Sequence, residues 1–279
     1  MKMTAAQCAP YNYSSIIVVR GGGDIATGVI QKFFRAGFPV VILETAEPTA
    51  IRRNVALCEA AVDGFAQVED MACRRVAGPD ELEHCWQTGS IPLLIDPRGE
   101  SIPAIHPAAV IDAILAKRNL GTNRAMANIT IALGPGFCAG EDADIVIETM
   151  RGHDLGRLIF RGSAKPNTGI PGDIGGKSVQ RVLYAPASGI IVHTKRIGDA
   201  VEFGETLFTV GGIAVNAPFT GLVCGLIREG ANVPQGMKAA DIDPRTDVDW
   251  RTISDKARCL GGAALEGFLY LQRQNEGNL

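Results

Sequence analysis

The stretch IIVVRGGGDIATG, Ile16 to Gly28, decides how this chain is read. A β-branched apolar run, Ile16 to Val19, gives way after Arg20 to Gly21, Gly22 and Gly23, and these lead at once into residues with helical spacing. That order is a strand, a turn tight enough to need glycine, and the start of a helix. Gly21, Gly23 and Ala26 satisfy G-x-G-x-x-G/A, a spacing in which glycines let backbone and helix approach a phosphate closely. A helix N-terminus there offers unpaired N–H groups and the positive end of a dipole.

Beyond the turn, Ile25, Val29 and Phe33 recur on one helical face with Ile30 and Phe34 beside them, and Gly37 suits the helix end. A second strand, Val40 to Leu43, ends on Glu44. An acid roughly 20 residues past such glycines is where a dinucleotide fold bonds a ribose hydroxyl. These features predict an α/β, Rossmann-like N-terminal domain with Gly21, Gly22, Gly23, Asp24 and Glu44 facing a cofactor. A tight turn that binds nothing is the alternative.

The same pattern returns further on. Ile129 to Leu133 reads as a buried strand that runs into Gly134-Pro135-Gly136. Two strand-to-glycine transitions suggest two loops at one sheet edge, where α/β proteins hold ligands. Pro107 to Asn119 can be read as a helix or as a strand, Ala109 to Ala113. The strand is preferred, because a helix would leave Asp112 on its apolar face. Lys117, Arg118 and Asn119 then sit in a loop that either binds an anion or is simply solvated. Short helical spacing over Pro79 to Trp86, a buried strand Ile91 to Ile95, and a hairpin of 144–149 with 157–160 complete residues 14–162 as one domain. His153, in the hairpin turn, has no acid or nucleophile at a helpful spacing.

Residues 163–182 are rich in Gly and Pro and read as a linker, with Asn167 and Thr168 as an alternative ligand-facing loop. From 183 to 248 the chain repeats itself. Ala185-Pro186-Ala187-Ser188-Gly189 returns as Ala217-Pro218-Phe219-Thr220-Gly221, and Gly198, Val201 and Gly204 return as Gly230, Val233 and Gly236, all offset by 32 residues. This resembles the lipoyl and biotinyl carrier domains, which implies a barrel-sandwich hybrid. The joining hairpin, 209–214, has no lysine, which argues against covalent lipoate or biotin. The last segment, 249–279, contains an amphipathic helix from Ile253 to Leu271, and its Gly261-Gly262-Ala263-Ala264 patch predicts a break or a very close neighbour in the N-terminal domain or a second copy.

Bulk properties narrow the classes. The 279 residues are 46% hydrophobic and 20% charged, which is ordinary globular composition. A net charge of -3 gives no electrostatic footprint for nucleic acid or a membrane surface. No apolar run approaches the ~20 residues that span a bilayer, and residues 1–15 lack a signal-peptide core, so a cytoplasmic location is expected. Seven scattered cysteines without a C-x-x-C pair, and four histidines, predict no metal site.

Taken together, VVRGGGDIATG, DAILAKRNLGT, GPGFCAGEDADIVIET, RGHDLGR, NTGIPG and ISDKARCLGG resemble the YqeB family, accessory proteins of selenium-dependent molybdenum hydroxylase systems related to the XdhC and CoxI group. The resemblance covers about Ile16 to Leu269. It implies a maturation factor that binds a molybdopterin-type cofactor and hands it to a hydroxylase apo-enzyme. Within the resemblance, Gly21 to Gly23 with Asp24 match the family's Rossmann motif, and Lys117, Asn119, Gly134 and Gly136 match further family motifs to which it assigns no role; it assigns no catalytic residue. A dinucleotide is the other cofactor expected, and an NAD-dependent oxidoreductase the other function, although no hydride-transfer acid such as a Tyr/Lys pair accompanies the loops. A homo-oligomer is compatible with either.

Overall fold

A computed structural model of the chain describes residues 15–277 apart from Pro171, so the expected N-terminal tail and Cys8 lie outside the described residues except for Ser15. The chain divides into two compact units. Of the described residues, the first holds those up to Pro48, Ala56–Asn167 and those from Ile253 on; the second holds Thr49–Val55 and Thr168–Thr252.

The first unit is built on one nine-stranded sheet. Its central strands are β1 (Ile17–Arg20), β2 (Val40–Glu44), β5 (Ser90–Ile95), β6 (Ala109–Asp112), β7 (Ile129–Leu133) and β8 (Ile145–Ile147). With the hairpin β3 (Phe65–Val68) and β4 (Met71–Arg75) at one side and β9 (Leu158–Ile159) at the other, the order is β3-β4-β5-β2-β1-β6-β7-β8-β9. From β4 to β8 neighbours run parallel, whereas β3 and β9 are antiparallel edges. Burial on both faces explains why β1, β6 and β7 are continuous apolar runs instead of alternating ones. The segment that could have been helix or strand, Pro107 to Asn119, supplies β6.

Two long helices, α1 (Asp24–Arg35) and α5 (Asp255–Asn275), pack against each other, and α5 also lies over β7 and β8. Val29, Ile30 and Phe33 of α1 are fully buried, and Lys32 and Arg35 fall in its last turn, where cations complement the dipole. Ser254 caps α5 by accepting a bond from the Ala257 N–H at 3.2 Å. Phe33, Phe38 and Phe268 meet edge to face with centroids 5.2 to 5.8 Å apart. A second apolar cluster combines Val18, Val41, Leu43 and Val110 of the sheet with Trp86 of α3 (Leu82–Gln87) and Ile102 and Ile105 of α4 (Ile102–Ile105).

Adjacent glycines do not break α5. Gly261 lies so near α1 that a Cβ would stand 2.2 Å from the Gly28 carbonyl oxygen, and a Cβ on Gly28 would stand 2.4 Å from that of Ala257. The helix axes thus meet backbone to backbone. Gly262 points into open space. The close neighbour expected for the small-residue patch is therefore α1 of the same unit, reached through Gly261 and not Gly262.

The second unit consists of two four-stranded antiparallel sheets. One, ordered β10-β17-β15-β12, comprises β10 (Val182–Tyr184), β12 (Ala200–Val201), β15 (Gly221–Leu226) and β17 (Lys238–Asp243); the other, ordered β14-β13-β11-β16, comprises β11 (Gly189–His193), β13 (Thr206–Val210), β14 (Ile213–Asn216) and β16 (Asn232–Val233). The internal repeat is expressed in reciprocal hydrogen bonds. Gly204 N–H donates to Ala217 and Gly236 N–H to Ala185; Gly198 N–H donates to Val223 and Gly230 N–H to Ile191. Ile51, from the N-terminal half of the chain, accepts a bond from Leu226 N–H and joins this core.

The expected class, a Rossmann-like domain followed by a lipoyl- or biotinyl-like barrel-sandwich hybrid, is corrected by this architecture: a large mixed sheet with few helices, and a second unit of two separate antiparallel sheets joined by residues 49–55 from the N-terminal part of the chain. The glycine spacing specifies one strand-turn-helix junction and says nothing about later crossovers. The connection after β6 holds only a 3-10 turn, Arg124–Met126, and that after β7 holds no α-helix among the described residues. Pro, Gly and Asn in those segments cannot sustain one.

Gly261→Ala is expected to lower the unfolding free energy by about 1–3 kcal/mol or more through overpacking. Gly262→Ala is expected to raise it by up to about 1 kcal/mol through helix propensity. Urea unfolding followed by circular dichroism measures both.

Candidate functional site

Because β2, β1, β6 and β7 are adjacent and parallel, their carboxyl ends share one edge of the sheet. Every residue expected to face a cofactor lies at that edge, in four segments. The four segments do different things.

Gly21 has a φ of +95°, and a Cβ on it would stand 3.1 Å from Ala113 and Ile114 backbone atoms. Its N–H continues the ladder to the Leu43 carbonyl at 2.8 Å. Gly22 is pressed against the turn Leu57–Glu59, where a Cβ would approach the Cys58 nitrogen to 3.0 Å. Its carbonyl accepts the Cys58 N–H at 2.8 Å, and its own N–H donates to Glu44 Oε2 at 2.7 Å. Glycine is needed at both positions for chain against chain. Gly23 differs: it caps α1 with an extended backbone and no side-chain cap, and nothing lies within 4 Å of where its Cβ would be.

Glu44 accepts from Gly22 through one oxygen and from the Thr45 N–H, at 2.7 Å, through the other. Burial pushes its carboxyl above the usual glutamate range, against the pull of those two bonds. Asp24, half-buried, opens α1 beside it. Cys58 is buried under the same loop, and burial first, then Glu44, Glu59 and Asp24, drives its thiol well above the ordinary value. That thiol stays protonated at neutral pH and is no nucleophile. The carboxylates also show that the ground beside Gly22 favours groups that donate hydrogen bonds over a bare anion.

The other two loops clasp each other. Gly136, at φ +107°, lies so close that a Cβ would be 2.6 Å from the Arg118 Cα, and Gly134, at φ +84°, would place one 2.8 Å from Thr149 Oγ1. Asn119 shapes its own loop: Oδ1 accepts from the Gly121 and Thr122 N–H groups at 2.8 Å each, while Nδ2 donates to the Thr122 carbonyl at 2.8 Å and Asp142 at 3.1 Å. Lys117, with φ +62°, and Arg118 are exposed. The structure thus brings Gly22, Gly23, Asp24 and Glu44 together around the start of α1. Lys117 and Asn119 are brought to Gly134 and Gly136, and the two groups meet through Ala113 and Ile114 at Gly21.

Three residues outside the expected set hold the edge closed. Arg20, ending β1, and Asp112, ending β6, stand side by side in register and are each 1% exposed. Arg20 Nη1 donates to the Thr122 hydroxyl and lies 3.7 Å from Asp112, while Thr122 donates to Asp112 at 2.6 Å. Arg20 Nη2 reaches the carbonyls of Pro97 at 2.9 Å and Leu120 at 3.2 Å. Burial raises the Asp112 carboxyl above its ordinary value despite Thr122, the Ile114 N–H and Arg20. The signal for this network was present: opposite charges closing two apolar runs, one of them inside the opening stretch.

Among the described residues, no group of three or more His, Cys, Asp or Glu side chains is placed to hold a metal ion. The described cysteines are all free, and burial lifts the Cys85 and Cys224 thiols to about 11. No helix among the described residues is long and apolar enough to cross a membrane.

The edge defines an α/β protein with an open helix N-terminus flanked by carboxylates, and no family model matches the chain. The uncharacterized protein YqeB of Escherichia coli (strain K12) is 45% identical over 260 residues, which is 93% of this chain and 48% of that protein. The chain is a relative of YqeB and spans about half the length of that curated protein. Among solved structures, an aspartoacylase family protein of Mesorhizobium loti is 14% identical with a TM-score of 0.29, over 83% of this chain and 85% of that one. The ectoine utilization protein EutE of Ruegeria pomeroyi is 9% identical with a TM-score of 0.26, over 82% and 85%. Scores this low define no shared fold.

The raised Glu44 carboxyl gives a pH signature. A group that binds its proton more tightly when folded contributes stability below its unfolded pKa, about 4.3 for glutamate, and loses that contribution as pH rises through the folded value. The stability of the wild type relative to Glu44→Gln is therefore expected to fall as pH rises from the ordinary glutamate range to neutrality, measured by urea unfolding at a series of pH values.

Proposed function

We propose that this chain is a cytoplasmic accessory factor for selenium-dependent molybdenum hydroxylases that binds a phosphate-bearing cofactor, of molybdopterin or nucleotide type, at the carboxyl edge of the nine-stranded sheet. The observation that carries the ligand site is the open space at Gly23, on the uncapped N-terminus of a 12-residue helix. Backbone N–H groups at such a terminus receive a phosphate oxygen without any cationic side chain. Lys117 and Arg118, exposed on the same edge, supply positive charge. Asp24 and Glu44 offer acceptors to ring nitrogens or hydroxyls of the remainder of the molecule, so a ligand with both a phosphate and donors suits the edge better than phosphate alone.

The role in hydroxylase maturation rests on the resemblance of the chain's motifs to the accessory proteins of molybdenum hydroxylase systems; YqeB itself is uncharacterized. The bound group supplies the hydroxylase with its redox centre, and the partner is the apo-enzyme that receives it. For this chain's own residues the work is binding and release: Gly23 and the first turn of α1 hold the phosphate, Glu44 keeps the glycine loop in place, and the Arg20–Asp112–Thr122 network ties the neighbouring loops to the strand ends. No acid, base or nucleophile with a matching substrate position accompanies them among the described residues, which favours binding over chemistry.

The test is titration of the purified protein with molybdenum cofactor and with NAD, read by thermal denaturation. A ligand at a hundred times its Kd adds about 2.7 kcal/mol of stability. Gly23→Val places its Cβ where no atom lies within 4 Å, so it is expected to fold, at a cost of about 1 kcal/mol for the poorer N-cap, and to lose the ligand-induced gain. Unchanged binding in Gly23→Val removes the α1 terminus from the site. Stabilisation by NAD but not by the molybdenum cofactor replaces this reading with the oxidoreductase one.

A further inference from the structure

A second cleft in the first unit, of about 300 Å³, is lined by Glu148, Asp154, Arg157, Ser163 and Lys165 over a floor of Leu158 and Ile159. Its volume is at the lower end of the ~300–1,000 Å³ typical of small-molecule sites. Glu148 directly follows β8 and so lies at the end of the same carboxyl edge, but none of these residues is in the glycine loops themselves. Several belong to stretches that the proposed function leaves without a role, the end of GPGFCAGEDADIVIET and RGHDLGR.

The cleft has a built interior. Glu148 is only 3% exposed, and each of its oxygens is fixed by a backbone donor, Oε1 by the Met150 N–H at 2.7 Å and Oε2 by the Lys165 N–H at 2.9 Å. A carboxylate held this way keeps further lone pairs for a ligand. Toward the mouth, Asp154 pairs with the Lys165 ammonium and stands 3.4 Å from an Arg157 guanidinium nitrogen. These partners are 36% to 71% exposed. Ion pairs at that exposure are worth little, so an incoming ligand can exchange for them.

The charges select the ligand. Two carboxylates and two cations line one small space, so its formal charge sums to zero. A polyphosphate would meet the carboxylates of Glu148 and Asp154, and a polyamine would meet Lys165 and Arg157, so either leaves like charges facing each other. A molecule that carries one ammonium and one carboxylate satisfies both sets at once, and an aliphatic stem can lie on Leu158 and Ile159. We infer that this cleft binds a small zwitterion of the α-amino acid class, its ammonium toward Glu148 and Asp154 and its carboxylate toward Lys165 and Arg157.

The experiment uses the full chain and a panel of the proteinogenic L-amino acids. Each is scored by thermal shift and then by calorimetry, beside amines that lack the carboxylate and carboxylates that lack the amine. At least one amino acid is expected to bind, the single-charge analogues are expected not to, and Lys165→Met is expected to raise Kd by about tenfold or more, the loss of one charge-assisted contact. Lys165 is 53% exposed, so its replacement leaves the fold intact, and Asp154→Asn provides a second variant with the same expected loss. Absence of binding by every amino acid, equal binding by a single-charge analogue, or undiminished affinity in both variants overturns the proposal. Gly23→Val, which abolishes the other site, is expected to leave this binding unchanged, so the two sites fail or stand separately.

Discussion

A guanidinium buried at the end of β1 is the interaction on which the functional edge of this protein depends. Arg20 can be accommodated there only because Asp112 ends the neighbouring parallel strand in register with it and Thr122 closes the triangle. Its Nη2 reaches main-chain carbonyls in two different loops, while its buried Nε is left without a partner among the described residues. One side chain therefore sets the height of the 97–101 and 120–122 segments above the sheet. Breaking a buried pair by removing one member costs about 3–5 kcal/mol, because the survivor is left charged in a site without water. An apolar pair of similar size could be as stable, but it could not bond to those carbonyls. The network is best understood as a fastener of loops, bought at the cost of desolvation.

The glycines above it divide by what their missing side chains make room for. At Gly21, Gly22, Gly134 and Gly136 the space is occupied by Ile114, Cys58, Thr149 and Arg118, and at three of them the backbone is also left-handed. Glycine there is a condition of assembly. Gly23 alone of the set has neither a positive φ nor a neighbour, so its lack of a side chain is explained by no close approach, only by its place as the α1 N-cap. A residue that is unnecessary for the fold and open on a helix terminus is where a ligand would be felt.

Much of the first unit could be read from the residues, for reasons that are local. Ile16 to Gly28 carries strand, turn and helix within a few residues of one another, and the β2 end at Glu44 follows the same short-range logic. The crossovers could not be read this way, because the helix that packs on α1 comes from residues 255–275, beyond an entire intervening unit. The small residues at 261–264 pointed to a close neighbour, but that its partner is Gly28 could not be read, because the two glycines are distant in sequence. In the site, residue positions were legible from strand ends, but roles were not: whether the Gly22 N–H donates to a phosphate or to Glu44 depends on which acceptor the fold brings to it, and the fold brings Glu44. Arg20 carries no such mark, because a charge closing an apolar run resembles a strand reaching solvent. In the second unit, the repeat was visible by eye at its fixed offset, while the recruitment of Ile51 left no trace in composition.

The placement of α5 also has a consequence for how the chain comes into being. The ribosome delivers β1 through β9 long before Ile253, and until then Phe33, Phe38 and the β7–β8 face lack Phe268 and Gly267. During that interval the second unit, whose reciprocal bonds are all internal, can complete itself. Folding as units in order of emergence is the common rule for multidomain chains. Here that order is inverted: the unit begun first is sealed last, and a nascent chain stalled before α5 would present an apolar helix face to whatever chaperone is waiting.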